Sequence, residues 1–288
     1  MIEDKFFDCG DATLHGRFRR ARNRAARGFI ICLPGLTRNA KDFDSIGDVL
    51  AADHDILALS LRGRGQSSNA DYTTYHPEQY RDDTLRVLDH LGLDQAIFLG
   101  TSLGGITTML LAEKAPQRLK AAIVNDIGPR LAPEGLARIG AYMAQRAPQE
   151  GPMTFKKAMA TIRAINEIAF PLHAGDDAFW RAAAERTFRR VSDEEDAWIF
   201  DFDPGISKAL AEIGAAPDLW PGFKALAERP TLVIRGAISD LLTAEIVAEM
   251  RAANPGFDYA EVANIGHAPM LDEPDAVAAI KSFLDKLA

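Results

Sequence analysis

Five continuous apolar runs constrain this chain more than any other feature. Phe29-Ile30-Ile31-Cys32-Leu33 ends in Pro34-Gly35, and Ile56-Leu57-Ala58-Leu59-Ser60-Leu61 ends in Arg62-Gly63. Ala96-Ile97-Phe98-Leu99 ends in Gly100, Ala121-Ala122-Ile123-Val124 follows, and Thr231-Leu232-Val233-Ile234 ends in Arg235-Gly236. A strand with one wet face alternates apolar and polar residues. A run that does not alternate is buried on both faces, which is the condition of a parallel sheet covered by helices. Helical spacing fills the gaps, over Asp44 to Ala51, Pro77 to Leu91, Leu103 to Lys114, Ala244 to Ala253 and Asp275 to Leu287. The last stretch places Val277, Ile280, Phe283, Leu284 and Leu287 on one stripe. The alternation predicts an α/β fold with a mostly parallel, doubly wound sheet. Two amphipathic runs, Lys5 to Cys9 and Thr13 to Arg19, read as an antiparallel N-terminal hairpin across Gly10-Asp11.

The alternation breaks after Val124. From Pro129 to Pro221 the pattern is helical, with turn signals such as Gly151-Pro152 and Asp203-Pro204-Gly205, and the sheet resumes at Thr231. The expected organisation is one core domain, residues 1–128 and 222–288, interrupted by an all-helical cap over residues 129–221. A further strand, Phe257 to Val262, precedes the last helix.

Composition narrows the partners. Hydrophobic residues at 47% and charged residues at 26% exclude a disordered chain. A net charge of -8 opposes nucleic acid or an anionic membrane as the main partner. Arg17, Arg19, Arg20, Arg22, Arg24 and Arg27 form one local basic cluster, read as a solvated hairpin turn between two strands. Cys9 and Cys32 are too few for a disulfide framework or a cysteine zinc site, and both read as buried free thiols. The start, Met1-Ile2-Glu3-Asp4-Lys5, lacks the pattern of a secretory signal, and no apolar run is long enough to span a bilayer. A cytoplasmic protein is expected.

The third run leads into Gly100-Thr101-Ser102-Leu103-Gly104-Gly105, a G-x-S-x-G sequence between a predicted strand and a predicted helix. The turn is too tight for side chains at Gly100 and Gly104. It holds Ser102 on a strained backbone with its hydroxyl above the sheet edge, next to a helix N-terminus. A serine hydroxyl needs a base to become a nucleophile. Of six histidines, His267 lies on a loop at the carboxyl edge of the sheet, the same rim as Ser102. His15, His54 and His90 read as packing or surface residues, and His76 and His173 as pocket candidates. The base in turn needs an acid. Asp240, on the loop after Ile234, is the expected acid, giving the chain order Ser102, Asp240, His267. Asp126, in Val124-Asn125-Asp126, is its rival; otherwise it would line the pocket floor or cap a turn. The backbone N–H groups of Leu36 and Leu103 are the expected oxyanion donors, with Gly35 letting the first loop turn toward the site.

With these residues in place, the sequence resembles the α/β-hydrolase superfamily from Phe29 to Leu287. Gly266-His267-Ala268-Pro269 followed by Leu271-Asp272-Glu273-Pro274 is similar to the histidine loop of single-domain bacterial esterases. Leu61-Arg62-Gly63-Arg64-Gly65-Gln66-Ser67 is similar to the Arg-Gly-x-Gly-x-Ser turn of that group. The resemblance implies a helical cap over the site. There are two departures. The oxyanion loop of many relatives begins His-Gly, whereas Pro34-Gly35 stands here, so the role of that histidine must be met otherwise. Ser60 stands where relatives often have Asp.

The expected activity is hydrolysis of a small to medium hydrophobic carboxylic ester through an acyl-enzyme on Ser102, with no metal or organic cofactor. The partner is a small-molecule ester, and the enzyme would act as a monomer or a homodimer. The large apolar cap residues, Met143, Met153, Phe155, Met159, Ile162, Phe170, Phe179, Trp180, Phe188, Trp198 and Phe200, pack the cap, and about a quarter of them should touch substrate. Gly35, Asp126, Met143, Trp198 and Met270 are the expected pocket residues. The alternatives are other acyl-transfer chemistry of the same fold (lactonase, thioesterase, perhydrolase or haloperoxidase-like, carbon–carbon bond hydrolase) and a non-catalytic receptor or scaffold. Ser102 argues against members that use Asp as nucleophile, and Ala268 against the carbon–carbon hydrolases that carry Trp after the histidine.

Overall fold

A computed structural model of the chain describes residues 1–23, 26–146, 151–212 and 217–287. The N-terminal hairpin is β1 (Ile2–Asp8) and β2 (Thr13–Arg19). Then follow β3 (Phe29–Leu33), α1 (Asp44–Leu50), β4 (Asp55–Leu59), α2 (Pro77–His90), β5 (Ala96–Thr101), α3 (Leu103–Lys114) and β6 (Leu119–Asn125). The insertion carries α4 (Pro133–Arg146), α5 (Phe155–Asn166), α6 (Asp177–Thr187), β7 (Phe188–Arg190), β8 (Trp198–Phe200) and α7 (Gly205–Glu212). After it come α8 (Trp220–Ala225), β9 (Thr231–Gly236), α9 (Ala244–Ala253), β10 (Asp258–Val262) and α10 (Pro274–Asp285).

Eight strands form one sheet in the order β1-β2-β4-β3-β5-β6-β9-β10. β2 runs antiparallel to β1 and β4, and the rest pair in parallel. Alternate residues of each apolar run enter opposite layers, which is why the runs do not alternate. Ile31, Leu33, Leu57, Phe98, Val124 and Val233 pack on one side with Val87 of α2, Met109 of α3 and Ile246 of α9. Ile30, Cys32, Ile56, Ile97, Ile123 and Ile234 pack on the other with Ile46 of α1 and Ile280 of α10. The chain winds from β3 outward to β4 and then returns past β3 to β5. The strand order therefore reverses between β3 and β5, and the crevice at such a switch point is where α/β sheets place their ligands. The loops after β3 and β5 carry Leu36 and Ser102.

Two expectations need correction. The insertion is not all-helical: β7 and β8 form a two-stranded antiparallel ribbon, and Met153 bridges to Trp198 beside it. Three-residue strands are too short for their periodicity to stand out from helical spacing. The arginine cluster is not a hairpin turn, since β2 and β3 are separated by β4. Arg17 and Arg19 instead pair with Asp44 and Asp48 of α1, and Arg22 donates to the Asp48 carbonyl. Arg24 lies outside the described residues. Cys9 and Cys32 are buried free thiols, with burial pushing each up to about 12. Among the described residues no helix is long and apolar enough to cross a membrane.

One charged pair sits wholly inside the core. Arg62 and Asp83 are both 0% exposed and joined by two bonds of 2.7 Å, with Asp11 and Thr74 satisfying the remaining guanidinium edge. Removing Asp83 leaves the buried Arg62 with only the exposed Asp11 carboxylate as counter-charge. Asp83→Leu should therefore cost about 3–5 kcal/mol in urea unfolding, and adding Arg62→Met should recover at least half of that loss.

Candidate active site

The elbow is built by close approach. A Cβ at Gly104 would lie 2.0 Å from the Leu33 carbonyl oxygen, and one at Gly100 would lie 2.4 Å from the Gly104 backbone. With no side chains at either position, α3 packs directly against β3 and β5. Ser102, wedged between them, takes φ 52° and ψ -114°, a conformation that non-glycine residues rarely adopt. Its N–H is fixed by the Asn125 carbonyl at 3.0 Å.

The side chains converge as a relay. His267 Nε2 lies 2.9 Å from Ser102 Oγ, and His267 Nδ1 lies 2.8 Å from Asp126 Oδ2. Asp126 is fully buried at the end of β6 and also has positive φ, 56°. The Gly236 N–H donates to its Oδ1 at 2.8 Å and the Ser239 hydroxyl to its Oδ2 at 2.7 Å. These two bonds fix the orientation of the carboxylate that faces the imidazole. Asn125 ties the histidine loop down, donating to the Pro269 carbonyl at 2.9 Å.

Asp240 is not at the histidine, contrary to expectation. Arg138 of α4 takes both of its oxygens, at 2.5 and 2.8 Å, and that hydrogen bonding holds the Asp240 carboxyl below its ordinary range. Asp126 and Asp240 both follow sheet strands at the same rim. What separates them is a guanidinium 102 residues away in sequence. The local signal for Asp126 was its place directly after the strand neighbouring the elbow.

The oxyanion loop has its own support. Arg64 is buried and donates from Nε to the Leu36 carbonyl at 2.9 Å, while Tyr80 receives a bond from its Nη1 and lies under its guanidinium. A side chain of the Arg-Gly-x-Gly-x-Ser turn thus anchors the loop that begins Pro34-Gly35. Ser60 accepts from the Ala40 N–H at 3.2 Å, extending that support. The insertion reaches the same loop: Asn39 and Lys41 both bind Asp201 Oδ2 at 3.0 Å. Neither the Leu36 nor the Leu103 backbone N–H is engaged by another group among the described residues.

A cavity of about 170 Å³ opens over Ser102 and His267. Gly35 and Met270 line it, and so does Leu36. Trp198 and Met143 do not: Trp198 packs on Phe155, and Met143 is buried in the core. Asp126 lies behind His267 and does not line the cavity. Of the eleven apolar insertion residues named from the sequence, Ile162, Phe170 and Trp180 face it, and Ile139, Tyr142 and Ile165 join them. His76 caps α2 and His173 stacks on Phe179, both away from the cavity. Sequence reasoning missed Arg38 and Arg138, which bring charge into the lining.

Residues 30–280 match the alpha/beta hydrolase family. The chain belongs to that family. It is 33% identical over 262 residues to a 3-hydroxybutyrate-oligomer hydrolase of Cupriavidus necator, covering 88% of this chain and 87% of that protein. It is 24% identical over 259 residues to an esterase of Mycobacterium tuberculosis, covering 89% and 82% of the two chains. The crystal structure of an alpha/beta hydrolase from Novosphingobium aromaticivorans superposes with a TM-score of 0.89 at 39% identity, over 99% of this chain and 98% of that one. With hydrolases and esterases as relatives, this family member is a hydrolase.

The close packing of the elbow makes a direct prediction. Gly104→Ala drives a methyl group into the Leu33 carbonyl. It should destabilise the protein by about 3 kcal/mol in chemical denaturation and displace Ser102 from His267, with loss of turnover.

Proposed function

We propose that this protein hydrolyses small to medium carboxylic esters through an acyl-enzyme on Ser102. The observation that carries the reading is the continuous chain from Ser102 through His267 to Asp126, at 2.9 and 2.8 Å, on a strained serine facing a cavity. His267 takes the Ser102 proton as the hydroxyl attacks the ester carbonyl, and it returns that proton to the leaving alcohol. Asp126 keeps the ring oriented and stabilises the imidazolium. The Leu36 and Leu103 amides bind the oxyanion, each worth about 2.7–4 kcal/mol by the usual loss on removing such a donor. Water, activated by the same histidine, then releases the acid.

Three features support an ester over the other acyl substrates of the fold. The cavity wall is mostly apolar, and the insertion contributes Ile139, Ile162, Ile165, Phe170 and Trp180 to it. The relative from Cupriavidus necator is named for 3-hydroxybutyrate oligomers, whose units are joined by ester bonds. A second relative is named as an esterase.

The test is direct. A fluorophosphonate probe should label the native protein but not Ser102→Ala, and the native protein should turn over p-nitrophenyl butyrate. Asp126→Asn should lower kcat by about 10⁴, because it fixes the wrong imidazole tautomer. Asp240→Asn should fall within about tenfold of the native enzyme, since it breaks an ion pair that does not touch His267. The reverse ranking would give the acid role to Asp240. Failure of the probe to label folded protein would sink the reading.

A further inference from the structure

Most of the cavity wall is apolar, yet two guanidinium groups line it, Arg38 and Arg138. Their situations differ. Arg38 is neutralised within the cavity: Asp42, also in the lining, takes its Nε and Nη2 at 2.7 and 2.5 Å, and Thr187 accepts from its Nη1. Arg138 pairs with Asp240, which does not line the cavity. The space over Ser102 therefore meets the cation of this pair and not its anion. The pair engages Nε and Nη2 and leaves Nη1 out of it.

That arrangement is suited to an incoming anion. A guanidinium clamped along one edge has already lost the side-chain freedom that binding would otherwise cost, and its planar fork can offer the other edge to a carboxylate. Arg138 is two-thirds buried, and Ile139 and Tyr142 of the same helix join it in the lining. Low-dielectric walls strengthen a charged contact and exclude competing water. Arg138 lines the same cavity as Ser102 and His267.

Resting on the ester-hydrolase reading above, we propose that the substrate is an ester that also bears a carboxylate, and that Arg138 binds this carboxylate. Arg138 is then a specificity residue, and the Asp240 side chain is its positioning partner.

Two matched substrate pairs test this. Mono-4-nitrophenyl glutarate against 4-nitrophenyl 4-carbamoylbutanoate places the charge on the acyl side. The 3-acetoxybutanoate anion against 3-acetoxybutanamide places it on the alcohol side. The native enzyme should favour the carboxylate in one pair by about tenfold in kcat/KM, mostly through KM. Arg138→Met should bring that ratio within about twofold of one, and Arg138→Lys should keep part of it. The ratio is read rather than the rate, so a general loss from the broken Arg138–Asp240 pair divides out. Equal use of both members in both pairs, or a preference that survives in Arg138→Met, overturns the proposal. Should Arg138→Met fail to fold, free glutarate must inhibit the native enzyme competitively more strongly than glutaramide, and equal inhibition overturns it. Turnover of the neutral esters and fluorophosphonate labelling of Ser102 report separately on the underlying hydrolase reading.

Discussion

The contact between the Gly104 backbone and the Leu33 carbonyl is the constraint on which this active site depends. It lets α3 begin almost inside the sheet, and the abrupt turn forces Ser102 into a conformation with positive φ. The cost of that backbone is carried by the layers around it, where β3, β5 and β6 are buried on both faces. A looser core would let the turn relax and lower the hydroxyl into the sheet. The stability of the fold and the position of the Ser102 hydroxyl are thus one property.

A second set of contacts ties the insertion to the reactive loops. Asp201 binds Asn39 and Lys41 on the oxyanion loop, its backbone carbonyl accepts from the Gly65 N–H, and Asp203 binds Tyr75. The Gly266 N–H, beside His267, donates to the Ala169 carbonyl. The cavity wall and the loops that position Leu36 and His267 therefore share hydrogen bonds. Changes in the insertion should be felt in the geometry of the reaction as well as in the shape of the cavity.

The two acids illustrate how a common framework is specialised. Both strand ends, after β6 and after β9, deliver an aspartate to the rim that holds His267. Helix α4 of the insertion contributes Arg138, which engages one of them and leaves the other to the histidine. One guanidinium thereby separates a relay carboxylate from a carboxylate that serves an ion pair, and it brings a positive charge to the cavity at the same time.

The sequence by itself determined the sheet, the winding of its helices, the elbow at Ser102 and the place of His267 on the same rim. Those features rest on local rules: apolar runs without alternation, glycines where no side chain fits, and a serine between a strand and a helix. It also marked Leu36 and Leu103 as candidate donors, because their place follows from the loops that frame the elbow. Only the tertiary structure decided which aspartate meets His267, that Arg64 holds the oxyanion loop, and that Arg38 and Arg138 enter the cavity. Each of these depends on a side chain from a distant segment arriving at a loop. The reach of a guanidinium across a fold leaves no periodicity in the chain. The short β7–β8 ribbon escaped for a related reason, since its pairing gives three-residue strands an order that their sequence alone does not display.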